Sequence, residues 1–383
     1  MNVTAAEALI RERISAAPTR MIPWCDVMQL ALYEPGIGYY RKGVRQIGRG
    51  GDFFTSVSVG PVFGELLTIY CAQVWEALGC PADFAIIEQG ANDGTLARDI
   101  LETAARDHTE LFASMQYWIA EPDMETRRVQ KSVVGEKYAD RIRHVAAPVD
   151  LKNGLKHALF LCNELLDAFP GHRIRFDGAR WLEQHVCLAE DGRLTFVDAP
   201  ISDAALISET DKIGVDFPSG YTTELNLEML HWMRSVADST FTGSILILDY
   251  GLPASELFSE SRYEGTLRRY HQHHSDDRVL ESLGECDLTA HVNFTRLAQE
   301  AQSCGLGVTE FIEQGRFLTK LTSWKIKNSS APLKPDWIRQ FQTLTHPSHL
   351  GMSFHALALE KGKNLSADPT AGNQAAALRR LGL

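Results

Sequence analysis

The stretch FAIIEQGANDG, Phe84 to Gly94, decides how the rest of this chain is read. Phe84, Ala85, Ile86 and Ile87 form a short unbroken apolar run, the pattern of a strand covered on both faces. Glu88 closes the run, and Gly90 and Gly94 bracket a turn. In the following TLARDILETAAR, Leu96, Ile100, Leu101 and Ala104 recur on one helical face. The unit is therefore strand, turn, helix.

The same grammar continues outward. Met115 to Glu121 predicts a second strand, METRRVQKSVVGEKY a helix, RIRHVA a third strand, and HALFLCNELLDAFP a fourth strand entering a loop. Strands that alternate with helices build a parallel sheet. After Pro170 the pattern switches to apolar–polar alternation around Asp177-Gly178 and Asp191-Gly192, which predicts an antiparallel β insertion. TTELNLEMLHWMRSVAD reads as a helix, and Ser244 to Gly251 as a strand that resumes the α/β pattern. A second, irregular insertion covers Leu252 to about His291. Asn293 is placed to cap FTRLAQEAQSCG, which stops at Gly305. SFHALALEKG predicts a last strand, and the tail beyond Lys361 a loose segment with a final short helix. Trp75, Trp118 and Trp232 read as core.

Bulk properties narrow the function. The 383 residues carry a formal charge of −11, which opposes a nucleic-acid partner in the absence of a linear basic patch. Seven scattered cysteines, odd in number and without a C-x-x-C pair, fit neither a disulfide framework nor a zinc site. No apolar run is long enough for a membrane span, and the N-terminus lacks a secretory signal, so a cytoplasmic protein is expected. The N-terminal stretch predicts an amphipathic helix packed on the body of the protein. His271, His273 and His274 lack the spacing and companion ligands of a metal site, and no metal is expected.

A parallel sheet receives ligands beyond the carboxyl ends of its strands, where the first glycine turn meets a helix. A dinucleotide fingerprint requires G-x-G-x-x-G. Here Asn92 replaces the middle glycine, which it can do because it tolerates a left-handed backbone. Asp93 sets a carboxylate where a pyrophosphate would be repelled. A cofactor with a positive centre and no phosphate suits this turn better, and S-adenosylmethionine has that chemistry. Glu121, at the end of the second strand, is positioned to accept hydrogen bonds from ribose hydroxyls.

Five segments in order, GRGGDFFTSVSVGPVFGELL, EQGANDGTLARDIL, NELLDAFPGHR, LDYG and DLTAHVNF, resemble the family of the mitochondrial complex I assembly methyltransferase and its bacterial relatives. The resemblance implies an α/β fold with a Rossmann-like class I methyltransferase sheet, helices on both faces, an N-terminal lid segment and two insertions, one of them antiparallel β. The segments expected are residues 1–80 (helical and lid), 81–362 (the core, with insertions at about 171–222 and 252–292) and 363–383 (tail). The resemblance further implies that Gly51, Asp52, Phe53 and Thr55 fold over S-adenosylmethionine. Glu88, Gly90, Asn92 and Gly94 would then form the pocket for its amino-acid end, and Glu121 would hold the ribose. Relatives usually carry E-L-G-P-G-R-G where this chain has Glu88 to Gly94, and aspartate where it has Asn293.

Methyl transfer depends on aligning an acceptor lone pair with the methyl group, so positioning and electrostatics dominate. A guanidinium acceptor is planar and permanently charged, and carboxylates can hold it bidentately. Asn163, Glu164 and Asp167 in CNELLDAFP stand where such a clamp would lie, with His172 following. Loop capping and ion pairing are the equal alternative for these acids on the residues alone, and the resemblance tips the reading towards function. Asp249 and Tyr250 are second candidates, and by the resemblance Asp287, Leu288 and Thr289 shape the acceptor cleft. The expected function is protein arginine methylation, by resemblance of a respiratory complex I subunit. A non-catalytic assembly scaffold that keeps the fold is the alternative, and a nicotinamide dehydrogenase a more distant one.

Overall fold

The computed structural model describes residues 3–43, 55–151, 155–271, 274–328, 332–347, 350–362 and 374–383. The chain divides into two compact units. The core unit comprises Phe54–Leu165, Trp232–Ala254 and Val292–Leu383; the insertion unit comprises Met1–Phe53, Leu166–His231 and Ser255–His291. The stretch expected as a single N-terminal segment, residues 1–80, is thus shared between the two units. The two insertions and the first helices form a body of their own.

In the core unit one sheet has eight strands, seven in a row and the short Val292–Asn293, which pairs in parallel with the end of Thr242–Leu252. In chain order the seven are Phe84–Gln89, Met115–Ala120, Ile142–Val145, His157–Asn163, Thr242–Leu252, Gly307–Glu313 and Phe354–Lys361, referred to below as the first to the seventh. Their spatial order is third, second, first, fourth, fifth, seventh, sixth. The first five pair in parallel, and the seventh pairs antiparallel with both the fifth and the sixth. The order reverses between the first and fourth strands, where a crevice opens at the carboxyl ends of an open sheet.

Both faces of this sheet are apolar for the same reason that the strands read as unbroken hydrophobic runs. Phe84, Ile86, Tyr117, Ile119, Leu159, Leu161, Leu246 and Leu248 point into one core cluster with the helices Val62–Ala77 and Thr95–Asp107. Their period-two neighbours Ala85, Ile87, Phe160, Ile245 and Ile247 are equally buried on the other face. There the Trp232 ring, on the helix Leu227–Ala237, lies edge-on to Phe160 at 6.0 Å.

Most elements match the sequence reading, including the Asn293 cap, whose side chain accepts from Arg296 N. Three segments differ, one being the second insertion, expected to be irregular, which carries antiparallel strands. Thr222–Leu225, expected to begin a helix, is a strand paired antiparallel with His172–Phe176, and the helix starts only at Leu227. Two β-branched threonines favour the extended edge, and Asn226 Oδ1 accepts from Met229 N to start the helix. The sixth strand and the helices Gln314–Asn328 and Pro335–Thr345 occupy a stretch with no assignment from sequence.

The insertion unit is built on antiparallel strands. Met21–Pro23, His172–Phe176, Trp181–Leu188, Leu194–Pro200 and Thr222–Leu225 form a five-stranded sheet turning at the expected dipeptides. Arg268–His271, His274–Asp276 and Asp287–Thr289 form a three-stranded one. The N-terminal helix Ala5–Ala16 buries Ala6, Ile10 and Ile14.

The glycine turn tolerates little change. Gly94 has φ +88°, and a Cβ there would lie 3.1 Å from Gln130 Cα. Gly94→Ala is expected to lower unfolding stability by about 1–2 kcal/mol for the left-handed residue alone, measured by urea denaturation of the full chain.

Candidate active site

The first strand delivers Gln89 and Gly90 to the crevice. The chain then turns through three residues with positive φ, Gly90 at +83°, Asn92 at +43° and Gly94 at +88°. A Cβ on Gly90 would lie 3.2 Å from Leu165 Cδ1, so the turn passes close to the loop after the fourth strand. Asn92 adopts the left-handed conformation expected of it, and the buried Gln130 braces it by donating Nε2 to Asn92 O at 2.9 Å. His144 Nε2 lies 2.9 Å from Gln130 Oε1. Burial and the nearby Lys131 and Arg127 push its pKa down to about 4, so the ring is neutral at physiological pH.

Asp93 answers the question of phosphate. Its Oδ1 accepts from Thr95 N at 2.9 Å, so the carboxylate sits against the first amide of the helix Thr95–Asp107, one residue before the Gly94 N-cap. A nucleotide phosphate takes that position when a helix N-terminus holds an anion. A cofactor without phosphate fits this turn. A cation near its strand end fits too. Glu88 is buried, with Tyr117 hydroxyl donating to its Oε2 at 2.8 Å. Burial, helped by Asp93 and opposed by the tyrosine bond, pushes the Glu88 pKa up to about 7. Glu121 follows the second strand; its Oε1 accepts from Asp123 N at 2.8 Å, which orients the carboxylate.

The fourth strand delivers Asn163 and Glu164. Glu164 has φ +53°, a left-handed conformation that is costly for a residue with a long side chain. It is held there by its own N–H to Leu248 O at 2.8 Å. Its Oε1 accepts from Asn163 Nδ2 at 2.9 Å and from Ser56 N at 3.0 Å. Asn163 is buried, and among the described residues nothing pairs with its Oδ1. Asp249, fully buried at the end of the fifth strand, fixes the next turn: Oδ2 accepts from Leu165 N and Oδ1 from Tyr250 N. Tyr250 packs edge-on to Phe354.

The remaining expected residues are distributed as follows. Gly51, Asp52 and Phe53 lie outside the described residues, as does His273. Thr55 is buried and exchanges hydrogen bonds with Ser58, its N donating to Ser58 Oγ and its Oγ1 accepting from Ser58 N. Asp167 and His172 belong to the insertion unit. There the Asp167 carbonyl accepts from Ala290 N, and His172 Nδ1 lies 2.7 Å from Glu183 Oε1 on the neighbouring strand. Asp287, in the same unit, accepts on Oδ1 from Tyr40 hydroxyl and Leu288 N. Cys25 brings its sulfur to within 4.8 Å of the His172 and Glu183 ligand atoms. The His172–Glu183 spacing is that of a direct hydrogen bond, and burial holds the Cys25 thiol protonated, which describes a buried polar pair. Sequence reasoning missed Ser56 as a donor, and also Gln130, Tyr117 and Gln314. Their signal is tertiary, because each is far in sequence from the residue it supports.

The strand order, the glycine turn closed by an acid and the two carboxylates at strand ends define a Rossmann-like methyltransferase. Residues 66–312 match the family model of S-adenosyl-L-methionine-dependent methyltransferases, and the chain belongs to that family. It is 27% identical, over 91% of its own length and 84% of the relative's, to the protein arginine methyltransferase NDUFAF7 homolog, mitochondrial, of Drosophila melanogaster. It is 25% identical to the human protein arginine methyltransferase NDUFAF7, mitochondrial, over 89% of this chain and 80% of that one. Among solved structures, a Burkholderia thailandensis protein bound to S-adenosyl-homocysteine superposes with TM-score 0.84 at 27% identity, covering 94% of this chain and 92% of that one. The protein is an S-adenosylmethionine-dependent methyltransferase with a class I fold. Among the described residues no helix is long and apolar enough to cross a membrane.

Glu88 generates a pH test. Its folded pKa lies near 7 against an ordinary 4.5, so the fold prefers the neutral acid. This group's contribution to stability is present below pH 4.5 and is lost as pH climbs through about 7. Glu88→Gln removes that loss. Its melting temperature is expected to exceed the wild-type value by a margin that grows from pH 5 to pH 8, and the margin is expected to shrink when S-adenosylhomocysteine, which carries an ammonium, is added. Scanning calorimetry at both pH values checks this.

Proposed function

We propose that this methyltransferase acts on an arginine side chain of a protein, with Glu164 as the residue that receives the guanidinium. The observation that carries the proposal is Glu164 at the carboxyl edge of the sheet, its left-handed backbone held by donation from its N–H to Leu248 O and its carboxylate by Ser56 N and Asn163 Nδ2. Strain of this kind persists where surrounding contacts over-determine it, and it clusters at functional sites. The relatives described above, protein arginine methyltransferases, support the same reading.

The residues around the turn suit the cofactor described above. Glu121 would accept from its ribose hydroxyls, while Glu88 and the backbone of Gly90 to Gly94 would receive its amino-acid end. When bound, S-adenosylmethionine supplies an electrophilic methyl group on a sulfonium. The work left to the chain is electrostatic and geometric. Glu164, with one oxygen fixed by two donors, orients a guanidinium N–H, and the unpaired Asn163 Oδ1 beside it accepts a second. Transfer would break the methyl's bond to sulfur and release S-adenosylhomocysteine, and the Glu164 carboxylate is placed to take the proton that the acceptor nitrogen would lose. The acceptor protein, on the resemblance in the sequence motifs, is a respiratory complex I subunit, met in the cytoplasm. A scaffold that keeps the fold without turnover is the rival reading, and it predicts no product.

Calorimetric titration with S-adenosylmethionine and S-adenosylhomocysteine, with NAD as control, is the first test. Binding to the two sulfur compounds alone, lost in Glu121→Ala, is expected. Glu164→Gln is expected to keep S-adenosylhomocysteine affinity within about threefold while lowering methylarginine formation by about 10²-fold, the range of general acid–base contributions. Labelled methyl appearing on lysine or on a small molecule in place of arginine would sink the arginine assignment.

A further inference from the structure

We propose that Ser56 and Gln314 are positioning residues for Glu164, acting as a clasp that sets the direction of its carboxylate. The inference rests on the proposed role of Glu164; it adds Gln314, outside the expected site, and gives a specific contact to Ser56, the end of the segment expected over the cofactor. Gln314 begins the helix Gln314–Asn328, directly after the sixth strand, and is fully buried. Its Oε1 accepts from Ser56 Oγ at 3.2 Å, a bond that spans 258 residues of sequence. Ser56, also fully buried, then donates its backbone N–H to Glu164 Oε1. The chain of contacts runs from the far side of the sheet order, through one serine, to the carboxylate.

Three features make a simple loop anchor an incomplete account. First, the segment Thr55–Val62 already has anchors that involve neither Ser56 nor Glu164. Thr55 and Ser58 close a turn on each other, and Val62 N donates to Gln340 Oε1 at 3.2 Å. Second, the clasp converges on a single oxygen, Oε1, which also receives Asn163 Nδ2. Two donors on one oxygen fix the carboxylate plane. Third, both amides of the network keep a buried atom without a partner among the described residues, Asn163 Oδ1 and Gln314 Nε2. Native structures seldom leave such atoms unpaired unless a ligand or a function accounts for them. The Gln314 amide could be turned over, in which case Nε2 would donate to Ser56 Oγ and Oε1 would be the unpaired atom. The link to Ser56 survives in either orientation, because a hydroxyl both donates and accepts.

Two readouts test the clasp. The first needs no acceptor: amide hydrogen exchange at position 56, followed by NMR in saturating S-adenosylhomocysteine. Ser56→Ala and Gln314→Leu, which break the same bond from opposite ends, are each expected to speed exchange at least tenfold. Arg316→Ala, exposed on the same helix, is expected to leave it unchanged. Exchange within twofold of wild type in both clasp variants would overturn the proposal. The second readout is methyl transfer from labelled S-adenosylmethionine to a library of single-arginine peptides. Gln314→Leu is expected to lower kcat at least tenfold, with KM and S-adenosylhomocysteine affinity within threefold. Added to Glu164→Gln, it is expected to cause no further loss, since a residue that acts through another is silent once that other is gone. Independent, multiplying losses would show that Gln314 does not act through Glu164 and would also overturn the proposal. If the wild-type protein modifies no arginine peptide, the arginine assignment fails, and the exchange readout alone decides the clasp.

Discussion

The pairing of the first strand with the fourth is the constraint on which the site depends. Phe84–Gln89 and His157–Asn163 run in parallel register, with Gln89 beside Cys162. Their carboxyl ends therefore emerge together, one into the glycine turn and the other into Asn163 and Glu164. Neighbouring strands lie about 4.8 Å apart, so a cofactor seated on the turn is within a few ångströms of groups at the end of the next strand. The register is held by apolar side chains on both faces. A slip of one residue would exchange the faces on which Ile86 and Ile87 are buried, and Leu159 with Phe160. Chemistry at the sheet edge is thus fixed by packing in its middle.

Around that edge the protein replaces phosphate recognition with a different electrostatic arrangement. Asp93 holds the first amide of the helix that a phosphate would use, burial lifts the Glu88 pKa to about 7 so that the acid is only partly ionised near neutral pH, and Glu121 is oriented by a backbone amide. A negative, partly neutralised cup of this kind favours a cationic ligand. Where the sequence resemblance leads one to expect a glycine, Asn92 itself adopts the left-handed conformation, with Gln130 bracing its carbonyl.

Much of this was legible in the sequence where a local pattern carried it. Unbroken apolar runs revealed the central strands, a helical stripe revealed Thr95–Asp107, and turn dipeptides revealed the hairpins of the insertion. Thr222–Leu225 was misread because a polar strand flanking an amphipathic helix extends the helical pattern by one turn, and only its partner His172–Phe176 specifies the extended form. The sixth strand, GVTEFIE, is short and carries a register shift between Val308 and Glu310, which breaks simple alternation. At the site, Glu164 and Asn163 were visible as chemistry-bearing residues after a strand. Ser56, Gln314 and Tyr117 were not, since a serine, a glutamine and a buried tyrosine acquire meaning only from what the fold sets against them.

The seventh strand lies between the fifth and the sixth although it is the last to be made. A growing chain can pair its first five strands as they appear, but the fifth then ends in an open row of peptide groups, and the sixth has no neighbour in the sheet until Phe354–Lys361 has left the ribosome. Completion of the sheet is therefore a late, long-range event of the kind that slows folding. The exposed rows are also templates for foreign strands while they wait. A nascent chain stopped before residue 354 would therefore carry every group proposed for catalysis without a completed sheet to hold them.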